Sequence, residues 1–121
     1  MPNNLGFLYD EGKYIKLNKN KSIKLYTKAC NMGESLGCNN LGAMYNYGDG
    51  LTKNIKKAIQ LYTQACNNGS ALGCRNLGLI YRNGTEIKKN EYRAKELFGK
   101  ACDGGNDDGC ELYKKLNQAG I

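Results

Sequence analysis

The 121-residue chain has no histidine and no tryptophan, one proline and two phenylalanines. Without histidine, neither a Ser-His-Asp nor a Cys-His nucleophilic arrangement can be assembled. The usual catalytic zinc site loses its commonest ligand as well. No run reaches the roughly 18 apolar residues that a membrane-spanning helix needs. The opening stretch "MPNNLGFLYDEG" has neither a basic start nor an apolar core, so it does not read as a signal peptide. Acidic residues are few: 11, against 18 Lys and Arg, for a net charge of +7. Lys13, Lys16, Lys19, Lys21, Lys24 and Lys28 follow one another with no acid between them. Such a surplus suits an acidic partner, but nucleic acid also requires aromatic platforms or a base-reading element. Tyr14 and Tyr26 are the only aromatics there, and Tyr26 is expected on the packing face with Leu25. The series reads as a solvated face, and no nucleic-acid partner is expected.

What is abundant is repetition. Cys30, Cys66 and Cys102 are spaced by 36 residues, and so are Cys38, Cys74 and Cys110. "NNLGFLY" at Asn3, "NNLGAMY" at Asn39 and "RNLGLIY" at Arg75 share that register, as do "SIKLYTKAC", "AIQLYTQAC" and "AKELFGKAC". A fixed period of this length marks a stack of supersecondary units. The chain is read as one repeat domain, 1–121. Its units are about 3–38, 39–74 and 75–110, and 111–121 is part of a terminal capping helix.

Each unit reads as two helices. Leu41, Met44 and Tyr45 make one apolar stripe over a helix from Asn39 to Tyr47, and Gly48 ends it. Asn54 is placed to cap a second helix, whose Ala58, Leu61, Tyr62 and Ala65 share a face. Gly42, like Gly6 and Gly78, costs about 1 kcal/mol inside a helix. A compensating close approach to a neighbouring helix is expected, with Ala58, Ala65 or their equivalents opposite. The predicted fold is an all-α solenoid of antiparallel helix pairs, with about seven helices, in which each unit covers the apolar stripe of the next. Lys114 and Asn117 stand where the interior glycine and the tyrosine fall in other units, as a more polar cap requires.

Six cysteines allow fifteen pairings. Residues eight apart on one helix are separated by roughly 12 Å, too far for a disulfide, so the chain must turn back between them. Gly33 and Gly37 allow that turn. Only local pairing treats the three units alike, which predicts Cys30–Cys38, Cys66–Cys74 and Cys102–Cys110. Closing a loop of about nine residues contributes about 2.6 kcal/mol per bridge in the chain-entropy model. Free buried thiols remain the alternative, and they fit the lack of a signal peptide. Structural zinc fits less well without histidine, and no metal or cofactor is expected. Pro2 stands where the period would place another cysteine, so a piece of a longer exported protein is expected.

The motif Leu41-Gly42-Ala43-Met44-Tyr45 followed by Ala58-Ile59-Gln60-Leu61-Tyr62 resembles tetratricopeptide-type repeats. The period, the "YNYGDG" loop and the recurring "AC-N-x-G-x-x-x-GC" joint are closer to the Sel-like repeat. The cysteine pair per unit is similar to that of the Helicobacter cysteine-rich protein family within that class. The resemblance implies disulfide-stapled right-handed superhelices, periplasmic or secreted. It also implies, for some members, weak penicillin binding or β-lactamase activity. That activity finds no machinery here. Ser22, Ser35 and Ser70 are the only serines, none begins S-x-x-K, and neither S-D-N nor K-T-G occurs. Asp107 and Asp108 read as dipole-complementing residues at a helix N-terminus.

The expected function is therefore an exported, non-catalytic module that binds a protein or peptide segment, in bacterium–host interaction or within the periplasm. The segment would lie in the groove of the stacked first helices. The candidate contacts are Asn3, Asn4, Asn39, Asn40, Asn46, Arg75, Asn76 and Arg82, whose amides and guanidinium groups can hydrogen-bond an extended backbone. The alternative partner, by resemblance alone, is a β-lactam or a peptidoglycan-related small molecule, bound or hydrolysed.

Overall fold

The computed structural model describes the backbone of residues 11–121 and the side chains of 18–121. Among them are six helices and no strand: α1 Glu11–Asn31, α2 Ser35–Tyr47, α3 Ile55–Asn67, α4 Ala71–Asn83, α5 Glu91–Asp103 and α6 Asp107–Gln118. Each packs on its neighbours in the chain, and α2 also touches α4. This is the predicted solenoid of helix pairs. The seventh helix expected, near residues 3–9, lies outside the described residues, as do Asn3 and Asn4.

Chemistry repeated along the chain sets the helix ends. Asn54 Oδ1 accepts from Lys57 N at 3.0 Å, and Asn90 Oδ1 accepts from Arg93 N at 3.0 Å. Each satisfies an amide that the first turn leaves unpaired. Gly48 and Gly84 end α2 and α4 with φ of 68° and 58°, a left-handed conformation that costs glycine no Cβ clash. Their loops fold back so that Asn54 N and Asn90 N donate to the carbonyls of Tyr45 and Tyr81, both at 2.9 Å. Asn18 has no such role, because α1 runs straight through it. Residues 13–21 contain neither glycine nor proline to interrupt the helix.

The joints between units differ from expectation in one respect. The first helices start four residues early, at Ser35 and Ala71 rather than Asn39 and Arg75. Ser70 Oγ caps α4 by accepting from Gly73 N at 3.0 Å, and Asn106 Oδ1 caps α6 by accepting from Gly109 N at 2.8 Å, whereas Glu34 ahead of α2 makes no side-chain cap. The turn is therefore made by Gly33, Gly69 and Gly105, with φ of 86°, 97° and 95°. Gly37 is already helical. Its reason is proximity, since a Cβ there would lie 2.6 Å from Ala29 Cβ and 2.9 Å from Cys30 N. That approach brings the cysteines together. Cys30–Cys38, Cys66–Cys74 and Cys102–Cys110 are bonded, with Cα separations of 4.5, 4.6 and 4.5 Å. Among the described residues no cysteine is free.

The glycine inside each first helix also has a packing reason, but its partner is not alanine. A Cβ on Gly42 would sit 2.9 Å from the Tyr62 ring, and one on Gly78 would sit 2.6 Å from the Phe98 ring. The second helices α3 and α5 thus lay an aromatic face on the bare backbone of α2 and α4. The core follows these contacts. Leu41, Leu61 and Ala65 surround the first bridge, Tyr62, Leu77 and Leu97 the second, and Ala94, Phe98 and Leu116 close the last pair. Leu25 departs from its repeat equivalents. It is 65% exposed, whereas Leu61 and Leu97 are 7% and 2% exposed. Leu61 packs beneath Leu41 and Gly42; the positions equivalent to those two above Leu25 are Leu5 and Gly6, outside the described residues.

Candidate peptide-binding face

The first helices α2, α4 and α6 share one side of the stack, and a chain of side-chain hydrogen bonds crosses it. Asn39 Oδ1 accepts from Asn76 Nδ2 at 3.0 Å. Asn76 Oδ1 accepts from Arg75 Nε at 3.3 Å and Nη2 at 2.9 Å. Arg75 Nη1 reaches Asp108 Oδ2 at 2.8 Å. Adjacent positions in α4 thus bridge backward to α2 and forward to α6. Asn39 is 3% exposed, and burying its amide is tolerable because the amide is bonded. It supports the face and does not present itself to a ligand. Asp108 keeps its place in the first turn of α6, and its ion pair with Arg75 adds a role beyond complementing the helix dipole.

Two adjoining cavities flank this chain of bonds. The first, of about 240 Å³, lies between α2 and α4. Its lining includes three amides, Asn46, Asn76 and Asn83, and the hydroxyl of Thr85, with Tyr47, Tyr62 and Leu79 beside them. The Lys53–Glu86 ion pair, at 2.7 Å, stands at its edge. Burial pushes the Tyr62 phenol up from 10.0 to about 12; Tyr47 adds to the rise, while the Asn46 side chain and Arg75 oppose it. The second cavity, of about 410 Å³, lies between α4 and α6 and is lined by Arg75, Leu79, Arg82, Glu111, Leu112 and Lys115, with Asp108 alongside. Leu79 lines both. Of the anticipated contacts, Asn46 and Asn76 meet in the first cavity and Arg75 and Arg82 in the second. Asn40 is half-buried and lines neither.

Sequence reasoning passed over Asn83, Tyr62, Leu79 and Lys115. Asn83 occupies the repeat position of Tyr47, and Lys115 that of Leu79, so the period that exposed the fold conceals them. Among the described residues, no group of three acidic or cysteine side chains could hold a metal ion. No helix there is long and apolar enough to cross a membrane.

Comparison with known proteins agrees with this architecture. The chain is similar to a protective antigen of uropathogenic Escherichia coli with an SLR fold, at 29% identity and a TM-score of 0.79, over 98% of this chain and 26% of that one. It is similar to cysteine-rich protein B of Helicobacter pylori, at 36% identity and a TM-score of 0.73, over 78% of this chain and 71% of that one. A Sel1 repeat protein from Oxalobacter formigenes matches at 25% identity and a TM-score of 0.77, over 98% of this chain and 49% of that one. The chain thus spans about a quarter of the antigen's length. None of the curated proteins matches it. The Sel1 repeat model matches residues 3–34, 35–70 and 71–106; with three such repeats, joined by disulfides at each turn between units, the chain belongs to the Sel1 repeat family.

Proposed function

We propose that the chain is a non-catalytic binding module, exported to an oxidising compartment, whose first-helix face takes an extended protein or peptide segment. The observation that carries this reading is the pair of adjoining cavities on one face. They hold amides and guanidinium groups able to pair with a peptide backbone. The first cavity is smaller than the roughly 300–1,000 Å³ of ordinary small-molecule sites, so it fits one side chain better than a whole β-lactam. Three disulfides support a compartment outside the cytoplasm, the periplasm or the cell exterior, since such bonds persist under oxidising conditions. A partner from a host cell and one from the periplasm are both compatible with the face.

No observation favours a hydrolase. Ser70 Oγ is engaged as a helix cap, and no general base of the usual kind adjoins a serine, because histidine is missing. Purified protein is expected to leave nitrocefin intact.

The direct test places a photo-crosslinking side chain at Asn46 or Asn83, and for comparison at Lys56 or Lys57, exposed residues of α3 that line neither cavity. A biotinylated pool of random peptides is then offered. Crosslinking concentrated at Asn46 and Asn83 supports the reading. Equal yields at all four positions overturn it.

A further inference from the structure

The two cavities share a wall but differ in charge. In the first, the lining groups that carry charge, Lys53 and Glu86, neutralise each other at 2.7 Å. What remains is neutral and polar: the Asn46 amide, the Nδ2 of Asn83, whose Oδ1 accepts from Arg82, and the Thr85 hydroxyl, while Asn76 is largely spent on Asn39 and Arg75. The second holds three cations, Arg75, Arg82 and Lys115, against two carboxylates. Arg75 is committed to Asp108 at 2.8 Å, and Lys115 is exposed, where water screens its charge. Arg82 bonds only the neutral Asn83, through Nε and Nη2 at 3.2 Å each. Among the described residues no carboxylate pairs with it. It is the half-buried cation that the second cavity leaves without a carboxylate.

From this asymmetry we infer that the ligand is a segment of mixed character, with a neutral amide side chain (Asn or Gln) seated between α2 and α4 and an acidic side chain seated between α4 and α6 beside Arg82. Packed helices stand about 8–10 Å apart, and a chain extended in the polyproline-II form advances about 3.1 Å per residue with three residues per turn, so positions i and i+3 share a face. The two side chains are therefore about three residues apart. Leu79, shared by both cavities, separates the seats. A lysine in the acidic seat would face Arg82, and a leucine in the amide seat would strip the asparagines of water without replacing their hydrogen bonds. This inference rests on the peptide-binding reading of the face and specifies the ligand's chemistry.

The probe is a blocked, fluorescein-labelled octapeptide, Ala-Ser-Gln-Ser-Thr-Glu-Ser-Ala, together with its reversed sequence, because an extended chain can lie in either direction. Binding is read by fluorescence anisotropy at low salt. One of the two orders is expected to bind about three- to fivefold more tightly than its Glu-to-Lys counterpart, the scale of one partly exposed charge pair. Arg82→Gln should erase that ratio while leaving the Gln-to-Leu discrimination in place. Asn46→Leu should do the reverse. Circular dichroism melts verify that both variants fold. Binding that is equally tight for Glu and Lys peptides, or a Glu preference that survives Arg82→Gln, overturns the inference and leaves the peptide-binding reading standing. Absence of binding by any of the peptides, with no crosslinking at Asn46 or Asn83 either, overturns both.

Discussion

At the scale of single residues, recurring glycines separate into those that turn the chain and those that admit a neighbour. Gly78 belongs to the second kind. A methyl group there would lie 2.6 Å from the ring of Phe98, which is fully buried and cannot move aside. Gly78→Ala is expected to destabilise by about 1–3 kcal/mol through overpacking, which outweighs the gain of about 1 kcal/mol in helix propensity. Gly99 provides the contrast. A Cβ there would meet the Tyr113 ring at 3.3 Å, and that ring is partly exposed and can shift. Gly99→Ala should be neutral or stabilising by up to about 1 kcal/mol, and urea unfolding distinguishes the pair. Tyr62 offers a second residue-scale prediction. Burial raises its pKa from 10.0 to about 12, so the folded state holds the phenolic proton more tightly than the unfolded chain does. Its contribution is fully present below pH 10 and is lost as pH rises through about 12. Tyr62→Phe should remove that part of the alkaline loss, seen as a shallower fall in urea midpoint between those pH values.

At the scale of elements, the joint between two units is the recurring object. A second helix, a left-handed glycine, a cap and a first helix occupy a short stretch, and a disulfide spans it. The bridge closes a loop of about nine residues, so removing one as the pair Cys66→Ala and Cys74→Ala should cost about 2.6 kcal/mol. Equilibrium unfolding of the oxidised variant against the parent measures this. An unchanged midpoint would show that the close approach of Gly73 to Ala65, where a Cβ would lie 2.8 Å away, already holds the joint by itself. Cys102 and Cys110 are less buried than the other four cysteines. Their bridge should therefore be the first to yield to a mild reductant, as judged by peptide mapping after alkylation.

At the scale of the whole molecule, the last helix pair departs from the repeat. Lys114 replaces the glycine that would receive another ring, and its side chain is exposed. Behind it, Lys95 ties α5 to α6 and the residues just after it. Its Nζ donates to Asn117 Oδ1 at 2.9 Å and to the Ile121 main-chain oxygen at 2.8 Å, and it lies 5.2 Å from the centre of the Tyr113 ring. Asn117 is thus more than a polar substitute for tyrosine, because it is the acceptor of this clamp. Lys95→Met should lower stability by about 1–2 kcal/mol. The loss should appear first as faster amide exchange in α6, the helix that the clamp holds against α5.

The 36-residue period, the alternation of helix pairs, the asparagine caps and the pairing of the cysteines were all legible in the chain. Each depends on neighbours within about ten positions, or on the identity of one unit with the next. Contacts between units were not legible. The partner of Gly42 is an aromatic ring rather than an alanine, because helix crossing decides which residue meets a bare backbone. Asn39 is buried against Asn76, and Arg75 is paired with Asp108, by bonds reaching 37 and 33 positions along the chain. The period treats Asn39 and Arg75 as equivalent, yet one is a buried support and the other a bridge. The cavities follow the same logic. Leu79 joins them and Arg82 charges one of them only because α4 lies between α2 and α6, and that juxtaposition exists only once the units are stacked.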